Sequence, residues 1–246
     1  MPRRNPAFWR MMDTKTKKAP VLTPKQLKRL LFVAGDTRNP ERNQLIVWLL
    51  FGAALRITEC AVIEIKDVLW SSGELRNKVI IPAKYCKNRK AGHVFLYHRK
   101  LLAALDKYID LRVERKQGLS GIQTYRGLKK DSQLILSENN RGYSLKKKKR
   151  TRIDGTIAET WACDTLQEIV TKWGREAGIK GFTTHSGRRT LATRASNKGS
   201  DEALLSVLLR HTTDEVPYEY VDVDYSEMTK FIESIFTFND DESDTE

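Results

Sequence analysis

The feature that most constrains this chain is an apolar stretch opened by a helix-start signal. Asn39-Pro40 sets a capping residue before a proline at the first helical position. Leu45, Ile46, Leu49, Leu50 and Ala53 then recur at helical spacing. The apolar region Leu45 to Leu55 contains Gly52 and is too short to span a bilayer, so the spacing predicts a deeply buried helix through about Ala54. One helix earlier, Thr23-Pro24-Lys25-Gln26 forms a capping box with proline in the first turn. The helix that follows carries Leu27, Leu30, Leu31 and Ala34 on one face.

Further elements follow in order. Val79-Ile80-Ile81 and Val94-Phe95-Leu96 are strand-forming runs flanking the Lys-rich connection Lys84 to Gly92, which reads as a β-hairpin with a long basic tip. Arg99 to Glu114 is helical by periodicity, and Gln133 to Ser137 reads as a short strand. The run Lys146 to Arg152 reads as an exposed basic loop. Helices are expected from about Ala158 to Gly178 and from Ser186 to Gly199, with another capped by Ser200 and a last amphipathic one over Glu227 to Phe236. The expected fold is mainly α with a small antiparallel β-hairpin, an α+β class. Residues 1–20 read as a flexible basic arm, 21–237 as one domain and 238–246 as an acidic tail.

Charge narrows the partners. The 246 residues carry 44 Lys and Arg against 31 Asp and Glu, a net +13. Five of the acids (Asp240, Asp241, Glu242, Asp244, Glu246) sit in the tail, so the body is more basic still. A basic body favours a polyanion, because each neutralised phosphate releases condensed counterions. Cys60, Cys86 and Cys163 match no zinc or redox spacing and suit a reducing compartment; no metal, cofactor or disulfide is expected. Nor is there a secretory signal, a membrane-length apolar run or a phosphate-binding G-x-x-x-x-G-K-[ST] loop.

Four local signatures occur in a telling order. Gly52-Ala53-Ala54-Leu55-Arg56-Ile57-Thr58-Glu59 leaves the buried helix, and the lysine-bearing hairpin follows. Thr184-His185-Ser186-Gly187-Arg188-Arg189-Thr190-Leu191-Ala192-Thr193 is third. Leu208-Leu209-Arg210-His211 is fourth, with Tyr220 nine residues after the histidine. This order resembles the tyrosine recombinase (phage integrase) family over roughly Leu22 to Phe236, which implies that family's catalytic-domain fold. It implies a catalytic set of Arg56, a hairpin lysine, His185, Arg188, His211 and Tyr220.

Transfer of a DNA phosphodiester to a protein hydroxyl needs an in-line nucleophile, stabilised non-bridging oxygens and a proton for the leaving 5′-oxygen. Planar guanidinium forks on Arg56 and Arg188 match phosphate oxygens. His185 lies three residues before Arg188, on nearly the same helix face. Glu59, one turn beyond Arg56, suggests an arginine held in place by a carboxylate. Lys87 is preferred as general acid, with Lys90 and Lys84 as alternatives. Tyr220 is preferred as nucleophile over Tyr218 and Tyr225. One position departs from the family, which usually has glycine where this chain has Arg210; a side chain there alters the turn or touches DNA.

The resemblance implies double-stranded DNA as partner, a homotetramer on paired sites, the C-terminal segment Glu227 to Phe236 docking on a neighbouring subunit, and no membrane. About 20 residues precede the catalytic region, too few for the family's helical clamp domain. Either a compact member or a fragment of a longer protein is expected, with the basic arm and the Lys146 to Arg152 run gripping backbone phosphates. The expected activity is site-specific recombination through a 3′-phosphotyrosyl intermediate. The alternatives are a type IB topoisomerase-like relaxing enzyme and a catalytically inactive DNA-binding regulator. The expected location is the cytoplasm, on the nucleoid, of a prokaryote or its virus.

Overall fold

In the computed structural model, residues 18–86, 91–151, 155–198, 208–210 and 225–236 are described. Helix α1 (Pro24–Gly35) starts on the expected capping box: Gln26 N donates to Thr23 Oγ1 at 3.2 Å, and Thr23 N to Gln26 Oε1 at 2.9 Å. Helix α2 (Pro40–Gly52) is buried at every position from Leu45 to Gly52. It packs against α1, against α5 (Arg99–Glu114) and against α7 (Ser186–Asn197), and so forms the axis of the core. Its Asn39 cap makes no side-chain hydrogen bond, so proline and burial define this helix start.

Two short helices, α3 (Ile57–Val62) and α4 (Ile65–Val68), lead into an antiparallel hairpin of β1 (Lys78–Ile81) and β2 (Gly92–Phe95), with Ile81 opposite Gly92. A second hairpin, β3 (Lys146–Thr151) paired with β4 (Ile157–Ala162), precedes α6 (Asp164–Glu176). The described chain closes with α8 (Tyr225–Phe236). The fold is mainly α-helical with two small antiparallel hairpins. No helix among the described residues is long and apolar enough to cross a membrane.

Three expectations fail here. The basic run is a strand, not a loop, because Ile157, Thr160 and Trp161 opposite it supply the strand-forming partner that lysines lack. The helix expected from Ala158 therefore begins only at Asp164. Gln133 to Ser137 forms isolated bridges, Glu64 to Gln133 and Leu136 to Gly142, rather than a strand. The helix expected to be capped by Ser200 lies outside the described residues, as do the basic arm over residues 1–17 and the acidic tail.

Close contacts fix α7 and α8 on the rest of the fold. Helix α7 lies flush on the last turn of α2: a Cβ built on Gly187 would stand 2.4 Å from the Leu50 carbonyl oxygen. Gly187→Ala therefore pushes α7 off α2, and the expected loss is about 1–3 kcal/mol, read as a lower thermal midpoint. An unchanged midpoint would mean that this close approach costs nothing to relax. Helix α8 seats on its own chain, with Ile232, Ile235 and Phe236 buried and Arg194 Nη1 donating to the Ile235 carbonyl at 3.3 Å. His98 stacks on Trp48 at 4.8 Å and meets Phe236 edge-on at 5.4 Å; burial pushes its pKa down to about 4, so it serves the core as a neutral ring.

Candidate active site

The site is built where α2 ends. After Gly52 the backbone turns through Ala54, at φ 49, and Leu55 N donates to the Leu49 carbonyl at 3.1 Å. That turn leaves Arg56 extended at the mouth of α3, at φ −78 and ψ 152. Glu59, fully buried one turn on, takes the Arg56 backbone N–H at 2.7 Å and Nη1 at 2.8 Å. The carboxylate expected to hold Arg56 does so. The Arg56 side chain keeps 26% exposure and lines an open cleft.

Arg188 comes from α7, which packs on α2. Its Nη1 donates to the Ala54 carbonyl at 3.2 Å, so both arginines are tied to the same short segment. Helix α7 starts at His185, whose N–H donates to Thr183 Oγ1 at 3.2 Å, while Ser186 Oγ accepts from Thr183 N at 3.1 Å. Thr184 is buried. His185 is left exposed, facing an open cleft.

That cleft, about 830 Å³, is lined by Arg56 and His185 together with Lys84, Tyr85, Lys147 and Trp161. Tyr85 and Trp161 meet edge to face at 6.3 Å. Lys84 Nζ lies 4.7 Å from the Tyr85 ring centre, and Lys147 Nζ lies 5.3 Å from that of Trp161. The second hairpin is fastened beside Arg56 through Thr58 Oγ1, which donates to the Trp161 carbonyl at 3.4 Å. Reading the basic run as a loop hides this wall.

Arg56 and His185 line the cleft, and Arg188 is tied to the Ala54 carbonyl, two residues before Arg56. Lys84 reaches the cleft from a single 3₁₀ turn, Ala83–Tyr85. Lys87, Lys90, His211, Tyr218 and Tyr220 lie outside the described residues, and Tyr225 opens α8. Arg210 is described, and its side chain turns inward. Its Nη2 donates to Glu59 Oε2 at 2.8 Å and to the Ala54 carbonyl at 3.3 Å. Burial pushes the Glu59 carboxyl up, but the Arg210 and Arg56 guanidiniums outweigh it and hold it below the usual carboxylate range. Charge pairs so distant in sequence leave no local signature, and only a lone arginine closing an apolar run points to this one.

Residues 20–227 match the phage integrase family. Among curated relatives, tyrosine recombinase XerA of Pyrococcus horikoshii is 25% identical over 212 residues, covering 86% of this chain and 60% of its own length. Tyrosine recombinase XerS of Streptococcus sanguinis is 24% identical over 200 residues, 81% of this chain and 47% of that protein. The chain therefore spans roughly half to three-fifths of these relatives. A crystal structure of XerA recombinase superposes with a TM-score of 0.55 at 20% identity, over 95% of this chain and 67% of that one. The Tn1549 transposon integrase in complex with transposon right end DNA gives 0.53 at 20% identity, over 95% and 72%. These similarities establish the helical fold with its hairpins.

Proposed function

The chain belongs to the phage integrase family, and from that membership we propose that it cleaves and rejoins DNA strands as a site-specific tyrosine recombinase. The observation that carries the reading is the tethering of Arg56 and Arg188 to the 54–59 segment beside a cleft that His185 also faces. Two fixed forks can hold the non-bridging oxygens of one phosphate as charge builds in the transition state. Tyr220 Oη attacks phosphorus, its proton passing to His185, and a P–O bond to tyrosine forms as the P–O5′ bond breaks. A hairpin lysine, Lys87 first, gives the leaving 5′-oxygen its proton, and His211 donates to a non-bridging oxygen. The phosphotyrosyl ester conserves the bond energy, and attack by a 5′-hydroxyl restores the phosphodiester.

Double-stranded DNA is the partner, and a homotetramer on paired sites is the working assembly, inside a prokaryote or its virus. Helix α8, seated in cis in the single chain, exchanges onto a neighbour in that assembly; deleting residues 226–246 is expected to weaken synapsis on paired sites. The test uses a duplex selected by this chain from a randomised library and nicked beside the cleavage position, so that a cut end diffuses away. The expected result is a denaturation-resistant protein–DNA adduct at the 3′-phosphate. No adduct on any selected duplex would leave a DNA-binding regulator, and relaxation of plasmids without site preference would indicate a topoisomerase.

The β3–β4 hairpin contributes grip. Lys147 and Lys149 share a face with Trp161 and are 59% and 71% exposed. Their pairs with Glu159, at 3.9 and 3.8 Å, are too long and too wet to hold them from phosphate. Changing both to Gln is expected to weaken binding equally on all sequences. The slope of log affinity against log salt should fall by about 1 to 2; an unchanged slope returns the hairpin to a solvated surface.

A further inference from the structure

Arg210 sits at φ 49, a left-handed conformation that side chains rarely adopt. Surrounding structure has to over-determine such a residue for it to persist. Its side chain, 5% exposed, shows what does so. Nη2 bonds both Glu59 Oε2 and the Ala54 carbonyl. Glu59 is the carboxylate that fixes Arg56, and the Ala54 carbonyl is the acceptor that fixes Arg188. The aliphatic stem lies against the first residue of β2: a Cβ on Gly92 would stand 2.9 Å from Arg210 Cδ. Three parts of the candidate site, from three regions of the sequence, therefore meet on one inward-facing side chain.

From this convergence we infer that Arg210 is a positioning residue, holding Arg56, Arg188 and the base of the lysine hairpin in register without itself touching DNA. The inference rests on the strand-transfer reading above. A buried carboxylate faced by Arg56 alone would draw that guanidinium inward to neutralise it. With Arg210 sharing Glu59, Arg56 commits only Nη1 of its fork and its backbone N–H to the carboxylate. Arg210 itself leaves Nε and Nη1 without hydrogen-bond partners among the described residues. That is an unfavourable arrangement for an arginine whose only role is stability.

The groups facing Glu59 are Arg56 and Arg210, with the thiols of Cys60 and Cys86 nearby. In the wild type the Glu59 pKa is depressed, so its stabilising contribution is present above the unfolded value and is lost as pH falls through the folded one. Removing Arg210 takes away the stronger of the two opposing charges. Burial then raises the Glu59 pKa, and ionising this group becomes unfavourable to folding as pH rises.

The experiment compares wild type with Arg210→Gly, which suits the backbone, Arg210→Lys, which keeps the charge, and the double variant Arg210→Met with Glu59→Gln. DNA affinity and its salt slope are measured first, then the single-turnover adduct rate at saturating nicked duplex across pH. Melting is followed without DNA over the same range. For Arg210→Gly the expected result is an unchanged salt slope, an adduct rate down at least about tenfold at neutral pH and an acidic limb moved upward. Its melting deficit should grow from acid to neutral pH. Arg210→Lys should recover part of the rate, and the double variant should lose the shift of the acidic limb because the carboxylate is gone. A wild-type rate and pH profile in Arg210→Gly would overturn the inference. So would a salt slope lower by about one, which would put Arg210 on a phosphate. If the wild type forms no adduct, strand transfer is the reading that falls; the DNA-free melts still decide the Arg210–Glu59 contact, and parallel curves at every pH would refute it.

Discussion

Tyr220→Phe is expected to abolish the covalent protein–DNA adduct, by at least about 10⁴-fold, while leaving DNA affinity within about twofold. The substitution removes one oxygen and nothing else. In the proposed reaction that oxygen is the atom that bonds to phosphorus, so no neighbouring group would replace it at the required in-line position. Binding of a basic protein to DNA in that reading would be spread over many phosphate contacts and would hardly register one hydroxyl. The specificity of the test lies in its controls. Tyr218 follows Pro217 in the sequence, and Tyr225 is the first residue of α8; neither is the proposed nucleophile, so Phe at either position should retain the adduct. The measurement is gel separation of trapped complexes on a nicked duplex after denaturation. An adduct that persists in Tyr220→Phe, or vanishes only in Tyr218→Phe, assigns the nucleophile elsewhere.

The features legible in the amino-acid sequence are the local ones. The Thr23 capping box and the period of Leu45, Ile46, Leu49 and Leu50 each depend on residues within a few positions, and both elements form as expected. The limits of α5 are legible for the same reason. Strand β3 is not, because four consecutive lysines have no strand period of their own, and pairing with Ile157 to Ala162 determines the outcome. Missing that pairing also extends α6 backward into β4, where Ala158 and Glu159 look helical in isolation. In the site, the i,i+3 relation of Arg56 to Glu59 is visible, whereas the third member, Arg210, lies 151 positions beyond Glu59. At that position the structure has a left-handed backbone and a side chain directed inward.

Removing Glu59 should be the most destabilising single change in the candidate site. Glu59 is fully buried and Arg210 is 5% exposed, so Glu59→Ala leaves a guanidinium without its counter-ion in the interior. Breaking such a pair from one side costs about 3–5 kcal/mol, because the orphaned charge keeps its desolvation penalty. Arg56 responds differently: at 26% exposure it can turn to water, so its loss of partner adds little to the stability cost. Replacing both buried members, Glu59→Leu with Arg210→Met, removes the penalty at its source and is expected to restore most of the denaturant midpoint. Adduct formation should not return with it, since Arg56 then has nothing to orient it. Stability and chemistry are thereby separated: urea titration reports the first, trapping on a nicked duplex the second. If the double variant regained both, the carboxylate would be a packing element and Arg56 would need no anchor. If it regained neither, the cost would lie in the shape of the Glu59 side chain rather than in the uncompensated charge of Arg210.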